Sequence, residues 1–369
     1  MARRWRWLVV LMGVGVLLAT PSLVDALPGR AAAVRAGELL VRIHRSAGTP
    51  YSGYATATGA LSLPVTGQFD SVARLLGGTT QLRVWWRGPR DWRVDSIAAT
   101  GETGQHRTPR ELWTWDYEGN RATVEEGTLD PRVRLPVSAD LLPSGLAGRM
   151  LTDATTAEVS PLRPRRIAGR DTQGLRLRPV DHRTTVDHVD VWADAATAIP
   201  LRVDVVGARS AAPTMTAEFT DFSSTVPPAS ATAFSPPTGA RVGQRVLPDL
   251  VAFLSRFSAV VPPPTLAGLP RNDRRRPEGA VGLYGRGVTE LVAIPIPPSQ
   301  AGEVRRQLAT APGVADTPQG LALSVGPVGL LLGQDDDTLA TAWLLTGTVT
   351  EATLTAAAGE LRRTARAAS

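Results

Sequence analysis

The sequence contains no cysteine and no lysine. Without cysteine there are no disulfides, no lipid attached through a thiol, no cysteine–zinc site and no thiol nucleophile. Without lysine, all 40 basic residues are arginine, and they are scattered rather than striped along one segment. A nucleic-acid footprint would cluster them, so no nucleic-acid partner is expected. Long apolar runs are also scarce. The one at the N-terminus, Leu8 to Ala19, falls short of the ~20 residues a spanning helix needs. No G-x-S-x-G elbow occurs, and no G-x-G-x-x-G follows a strand pattern, which argues against two common catalytic and nucleotide-binding folds. The four histidines, His44, His106, His182 and His188, have no metal-ligand spacing. His182 and His188 lie among Asp181, Asp187 and Asp190, but strand alternation turns His188 away from Val189. Asp335, Asp336 and Asp337 lack the alternating spacing of a calcium loop and read as a solvated turn. No nucleophile–base set stands out for a hydrolase, no metal site and no cofactor is implied, and the chain reads as non-catalytic.

What is present is a globular composition, 43% hydrophobic and 20% charged over 369 residues, enough for one or two domains. Arg3, Arg4 and Arg6 precede the Leu8–Ala19 run, and Leu23-Val24-Asp25-Ala26 offers small residues where a signal peptidase cuts. Residues 1–26 therefore read as a secretory signal peptide, with an uncleaved anchor as the alternative. Their removal takes the net charge from +6 to +4. An exported, extracytoplasmic protein is expected, which argues against ATP- and nicotinamide-dependent chemistry.

Residues Gln81–Glu126 hold five of the nine tryptophans. Hairpin signals at Arg87-Gly88-Pro89-Arg90 and Glu118-Gly119-Asn120 separate four expected strands, two on either side of a polar loop. Period-two alternation puts Leu82, Val84 and Trp86 on one side, Trp92 and Val94 opposite Arg93 and Asp95, and Trp113, Trp115 and Tyr117 opposite Leu112, Thr114 and Asp116. One wide aromatic face is expected, and something must cover it.

Elsewhere, Val34–Arg45 reads as a helix with Leu39, Leu40 and Ile43 on one side and a Glu38–Arg42 pair. A strand is expected over Tyr54–Ala60, and Leu61–Gly78 is ambiguous. Asp140 is the expected N-cap of a helix with Pro143 in its first turn and Leu142, Leu146 and Met150 on one stripe. Strands follow at Gly174–Pro179 (Leu175, Leu177), Thr185–Ala193 (Val189, Val191), Pro200–Gly207 and Thr214–Ser223. Regular strand–turn spacing points to a large, curved antiparallel sheet with helices on its inner side. Composition then shifts to Pro, Ser, Thr and Ala over 226–278, a linker with a short apolar helix at Leu247–Phe257. Residues 279–369 read as a small α+β unit: a hairpin turning near Arg286-Gly287, a helix at Ser299–Thr310, a hairpin turning at Gly326-Pro327, a strand at Leu339–Val349, and a terminal helix with Leu354, Ala358 and Leu361 as its stripe.

The run from Tyr51-Ser52-Gly53 through RVWW-x-GP-x-x-WRVD (Arg83–Asp95), LWTWDYEGN (Leu112–Asn120), DLLP-x-GLA (Asp140–Ala147) and VDVWAD-x-x-T-x-x-PLRV (Val189–Val203) resembles the LolA-like superfamily of periplasmic lipoprotein carriers in its actinobacterial form. The C-terminal unit, with LYGRGVTELVAIPI and WLLTGTVTEATLTAAAGEL, is similar in arrangement to the second domain of RseB/MucB-type regulators. The first likeness covers roughly 34–225 and the second roughly 279–366. Together they imply an unclosed β half-barrel with helices on its concave side, a LolA-like lipid-binding domain over 34–225, followed by the small α+β domain. They imply two kinds of partner: lipid or an acylated lipoprotein, held in a half-barrel cavity near the membrane surface, or the extracytoplasmic part of a membrane anti-sigma factor. The chain departs from the carriers in having the second domain.

The expected cavity lining is Leu82, Val84, Trp86, Trp92, Val94, Trp113, Trp115, Tyr117, Leu146, Met150, Leu175, Leu177, Val189 and Val191. The competing reading is that the helices fill the concavity with their own side chains. An acyl chain burying ten methylenes gains roughly 8 kcal/mol before binding costs. Arg83, Arg87, Arg90 and Arg93 at the strand ends are either phosphate ligands or ordinary surface arginines.

Overall fold

A computed structural model describes residues 34–60, 77–98, 101–126, 137–246, 262–272, 280–296, 298–333 and 342–368. The N-terminal segment, most of Leu61–Gly78, the Leu247–Phe257 helix and Asp335–Asp337 lie outside the described residues. Among the described residues, no helix is long and apolar enough to cross a membrane.

Helix α1 (Ala36–Arg45) leads into strand β1 (Tyr51–Ala60). Five strands follow: β2 (Gly77–Gly88), β3 (Asp91–Ala98), β4 (Gly101–Arg107), β5 (Leu112–Asp116) and β6 (Arg121–Glu126). A 3-10 turn (Ser138–Leu141) and helix α2 (Pro143–Met150) come next. Then come β7 (Val159–Leu162), β8 (Arg166–Ile167), β9 (Arg170–Leu177), β10 (Val186–Asp194), β11 (Pro200–Gly207) and β12 (Met215–Ser223). A short helix α3 (Ala229–Thr232) precedes β13 (Arg241–Val246).

These thirteen strands form one sheet in the order β13-β6-β5-β4-β3-β2-β1-β12-β11-β10-β9-β7, with β8 beside β9. It is antiparallel except where β13 runs parallel to β6. β13 and β7 end the path and do not pair with each other, so the sheet is an unclosed half-barrel. Register shifts at Tyr54/Ala55, Trp86/Gly88 and Trp192/Ala193 mark bulges, which bend and twist strands. At Gly53 a Cβ would stand 2.2 Å from the Asp221 carbonyl oxygen, so only glycine lets β1 come this close to β12.

The concave face is filled. Leu39, Leu40 and Ile43 of α1, and Leu146 and Ala147 of α2, pack against Leu175, Leu177, Val189, Val191 and Val203 in one cluster. Leu141 and Leu142 pack with Tyr51, Leu82, Val84, Trp92, Val94 and Phe219 in a second. Tyr51 is the largest fully buried side chain here. It stacks on Trp86 at 5.9 Å, and its hydroxyl pairs with Ser144 Oγ at 2.6 Å. Burial pushes that phenol's pKa up despite the hydrogen bond.

Four expectations need correction. The loop between the tryptophan hairpins is strand β4: GETGQHR has no apolar alternation, yet β3 and β5 supply ladder partners on both sides. Asp140 does not cap α2. It lies in the 3-10 turn, its carboxylate accepts the Val137 amide at 2.8 Å, and Leu142 stands at the helix N-cap with Pro143 at N1. Arg42, expected to pair with Glu38, reaches to the sheet and donates to Gln173 Oε1 (3.0 Å) and the Ala195 carbonyl (2.8 Å). The proline-rich stretch also contributes β13 to the large sheet.

The second unit is a six-stranded sheet, β16-β17-β21-β20-β19-β18, built from β16 (Gly282–Arg286), β17 (Thr289–Ile296), β18 (Ala315–Thr317), β19 (Gly320–Val325), β20 (Val328–Gly333) and β21 (Ala342–Gly347). Helix α4 is Pro298–Ala309 and α5 is Glu351–Ala368. Leu354, Ala358 and Leu361 of α5 bury against this sheet, and Leu266 and Leu269, on the ribbon β14 (Thr265–Leu266) and β15 (Leu269–Pro270), join the same core.

Leu175 is fully buried beneath α1 and α2, so Leu175→Ala is expected to cost about 2–5 kcal/mol in urea unfolding. Val41, on the exposed side of α1, is expected to tolerate alanine within about 0.5 kcal/mol.

Candidate functional site: the cleft between the two units

The β4 strand resets the phase of everything after it. Trp85 faces Arg93, Arg93 faces His106, and His106 faces Trp113. Trp113 and Trp115 therefore lie on the convex side with Arg83, Arg93 and Asp95. Leu82, Val84, Trp86, Trp92 and Val94 point into the concavity with Leu112. The single aromatic face is two faces. Phe234, from the segment crossing the convex side, covers Trp113 at 5.5 Å and Trp115 at 6.1 Å, and lies tilted against His106 at 4.6 Å. Tyr117 is exposed beyond the end of β5, its hydroxyl accepting from Arg93 Nη2 at 2.9 Å.

Three of the four strand-end arginines are committed to protein partners. Arg83 and Arg93 both bind Asp95, which is wholly buried, at 2.8 Å each. Arg83 also reaches Glu102 at 2.9 Å, and Arg87 holds Asp91 at 2.8 Å. These pairs knit neighbouring strands together and leave those guanidinium groups engaged.

The remaining expected lining residues sort by position. Leu146, Leu175, Val189 and Val191 are sealed in the core with α1. Met150 and Leu177 sit at its edge, where α2 ends, and there a cavity of about 530 Å³ opens. That volume is ordinary for a small-molecule site. Its floor is Met150, Leu177 and Val288; its rim carries Glu158, Asp181, Arg183 and Arg286, with Val180 exposed at the edge. Both units contribute.

The β16–β17 hairpin tip makes the far wall. Val288 is buried within the core of the large sheet rather than its own. Gly287, at φ +57°, passes so close that a Cβ would meet the Thr152 carbonyl oxygen at 3.1 Å. Arg286 donates to both Glu158 oxygens at 2.8 and 3.0 Å and to the Asp153 carbonyl at 3.0 Å. Burial of Glu158 would raise its pKa. The bonds from Arg286 and from the Thr155 amide and hydroxyl outweigh that and hold it below the ordinary carboxylate value.

On the other side, the loop before β10 joins the second unit through an isolated β-bridge. Thr184 bridges Val349 in antiparallel fashion. The Thr185 amide donates to the Thr348 carbonyl at 3.0 Å, and the Thr350 amide to the Arg183 carbonyl at 2.7 Å. The Thr184 hydroxyl reaches the Val288 and Thr348 carbonyls, and the Thr185 hydroxyl donates to that of Pro327. Arg183 forks onto Asp181 at 2.7 and 2.9 Å and donates to the Ala267 carbonyl at 3.2 Å. That fork, first, holds the Asp181 pKa below its usual value.

Of the lining residues expected from the sequence, Met150 and Leu177 border this cavity; Glu158, Val180, Asp181, Arg183, Arg286 and Val288 border it too and were not among those expected. The Arg286-Gly287 turn was visible as a turn. Nothing in one sequence pairs it with Glu158, 128 positions away.

Neither a family model nor a curated protein matches the sequence. Solved structures do. The MucA/MucB complex of Pseudomonas aeruginosa is similar over 88% of this chain and 97% of that one, at 16% identity and a TM-score of 0.47. A LolA superfamily protein from Nitrosomonas europaea matches over 55% and 99%, at 15% identity and TM-score 0.25. A putative outer membrane lipoprotein-sorting protein domain from Vibrio parahaemolyticus matches over 51% and 91%, at 11% and 0.23.

Because the Glu158 pKa is depressed, the ion pair contributes fully above the unfolded value of about 4.3 and is lost as pH falls through the lower folded value. Acid unfolding, followed by tryptophan fluorescence, is expected to begin at higher pH in Arg286→Gln than in the wild type. Identical acid midpoints would contradict a stabilising pair.

Proposed function

We propose that this is a non-catalytic, extracytoplasmic binding protein that takes a lipid or acylated ligand, such as the lipid-modified end of a lipoprotein, in the cleft between its two domains. The observation that carries this is the cavity of about 530 Å³ with Met150, Leu177 and Val288 as its floor and charged pairs at its rim. An acyl chain gains from the apolar floor, while its polar end stays at the rim among arginine and carboxylate groups. The site moves from the middle of the half-barrel, where α1 and α2 occupy the space, to the end where they stop. Of the lining residues expected from sequence, Met150 and Leu177 belong to it. Export rests on the arginine-led apolar N-terminus, and an uncleaved N-terminus would tether the cleft beside the membrane.

A second reading is favoured by the clasp between Arg183–Thr185 and Thr348–Thr350, which makes the two domains one composite surface. Such a surface suits a protein partner, and a regulator that binds the extracytoplasmic part of an anti-sigma factor fits it. Crosslinking in cells separates the two: recovered lipoproteins support the first, a single-pass membrane protein the second.

Titration with a fluorescent fatty acid is expected to show saturable uptake by the wild type, weakened at least tenfold by Met150→Asp in protein that circular dichroism shows to be still folded. An absence of uptake in the wild type, together with only the apo mass in native mass spectrometry of protein taken from its own envelope, would contradict the lipid reading.

A further inference from the structure

Arginines that are scattered in the sequence are gathered by the fold at the end of the half-barrel opposite the cleft. In the ladder Tyr51 pairs with Trp86, Trp86 with Trp92, Trp92 with Arg107 and Arg107 with Leu112. The β2–β3 turn, the β4–β5 turn and the entry to β1 therefore emerge at one end. Ser46 Oγ ties that entry to the β10–β11 turn, donating to the Ala198 carbonyl at 3.1 Å. The segment between β7 and β8 joins them, its Arg163 carbonyl accepting from Trp192 Nε1 at 3.1 Å. β9 runs from this end, at Arg170, to the cleft, at Leu177.

Arg45, Arg90, Arg110, Arg163 and Arg165 are exposed here, and no carboxylate among the described residues holds any of the five. Arg165 lies 4.2 Å over the Trp192 ring, which fixes it without using its hydrogen-bond donors. The carboxylates of this end are engaged elsewhere: Asp91 by Arg87 at 2.8 Å, Asp194 by Arg170 at 2.9 Å, Asp171 by Arg166 at 3.8 Å and Glu111 by the Trp113 indole at 2.8 Å. Glu125 has a partner of its own. The cleft rim, by contrast, balances Glu158 and Asp181 against Arg183 and Arg286. Between Pro89 and Pro109, both exposed, the two turns leave a shallow hollow of about 370 Å³ beside Arg90.

We propose that this end is a docking face for an anionic lipid surface, with the five arginines on headgroup phosphates and the two proline rings settled between them. Guanidinium forks match phosphate oxygens. Each arginine held near an anionic bilayer strengthens binding about fivefold. The expected export of the chain leaves nucleic acid out of reach. The arginines stand on separate turns around a rim rather than along one groove. Lipids diffuse sideways to meet charges spread in that way, whereas an acidic protein needs a matching contour. Docked so, the protein keeps its cleft on the side away from the bilayer, and the proposal does not depend on what the cleft holds.

Flotation of the full chain with vesicles tests it. Phosphatidylcholine vesicles carrying about one-third phosphatidylglycerol are expected to bind the wild type at least twentyfold more tightly than pure phosphatidylcholine does, with release on raising salt to about 0.5 M. The apolar N-terminal run is the same in every protein compared, so its own affinity for lipid cancels in that ratio. The pair Arg90→Gln with Arg110→Gln, and the pair Arg163→Gln with Arg165→Gln, should each lower the ratio at least tenfold. The control pair Arg121→Gln with Arg209→Gln removes the same charge from exposed sites away from this end and should leave it within twofold. Equal binding to both vesicles, or equal losses in the rim and control pairs, would overturn the docking face. Arginine-dependent binding to soluble polyglutamate that exceeds binding to the anionic vesicles at matched charge would overturn the lipid surface in favour of an acidic protein.

Discussion

A strongly curved sheet has an apolar inner face that cannot be left to water, and the rest of this structure follows from how that face is covered. Two short helices and a 3-10 turn do most of it: α1 lies against β7 and β9, and α2 against β11 and β12. Each fully buried aliphatic side chain there is worth roughly 1.5–3 kcal/mol. The helices are short, however, and α2 ends at Met150. Beyond that point the covering residue is Val288, brought in by another sheet altogether. The place where the protein's own cover changes hands is also the place where a cavity is found.

The convex side is managed by different means. Arginine–carboxylate pairs line it, within strands (Arg93 on Asp95, Arg202 on Asp204) and across them (Arg83 on Asp95, Arg176 on Asp190, Arg202 on Glu218). Trp85 lies under Arg83 and Arg93, whose guanidinium carbons stand 5.1 and 4.8 Å from its ring. Trp113 and Trp115, on the same side, are covered by Phe234. The segment carrying Phe234 then lays β13 along β6. A composition rich in arginine and free of lysine thus serves structure first, since forked guanidinium groups can hold a carboxylate and stack on a ring together.

Much of the fold was legible. Apolar alternation in Leu175/Leu177, Val189/Val191 and Val203/Val205 marks strands whose inner faces are buried as expected, and the hairpin turn at Arg286-Gly287 lies where the sequence puts it. Strand β4 was not legible, because a strand with neighbours on both sides needs no apolar pattern of its own; missing it put Trp113 and Trp115 on the wrong face. The site was legible only in part. Met150 and Leu177 carry a local helix and strand signal. Val288 reads as an ordinary core residue of its own hairpin, and its burial in the other core depends on how the two units meet, which no local periodicity records.

The proposed place for an acyl chain is the cleft at Met150, Leu177 and Val288. Photolabelling with a diazirine-bearing fatty acid, followed by peptide mapping, tests this most directly. Labels confined to residues 150–158, 177–183 and 286–289, and competed away by unlabelled fatty acid, are the predicted result. Competed labels concentrated instead around Trp86 and Trp92 in the middle of the half-barrel would contradict it.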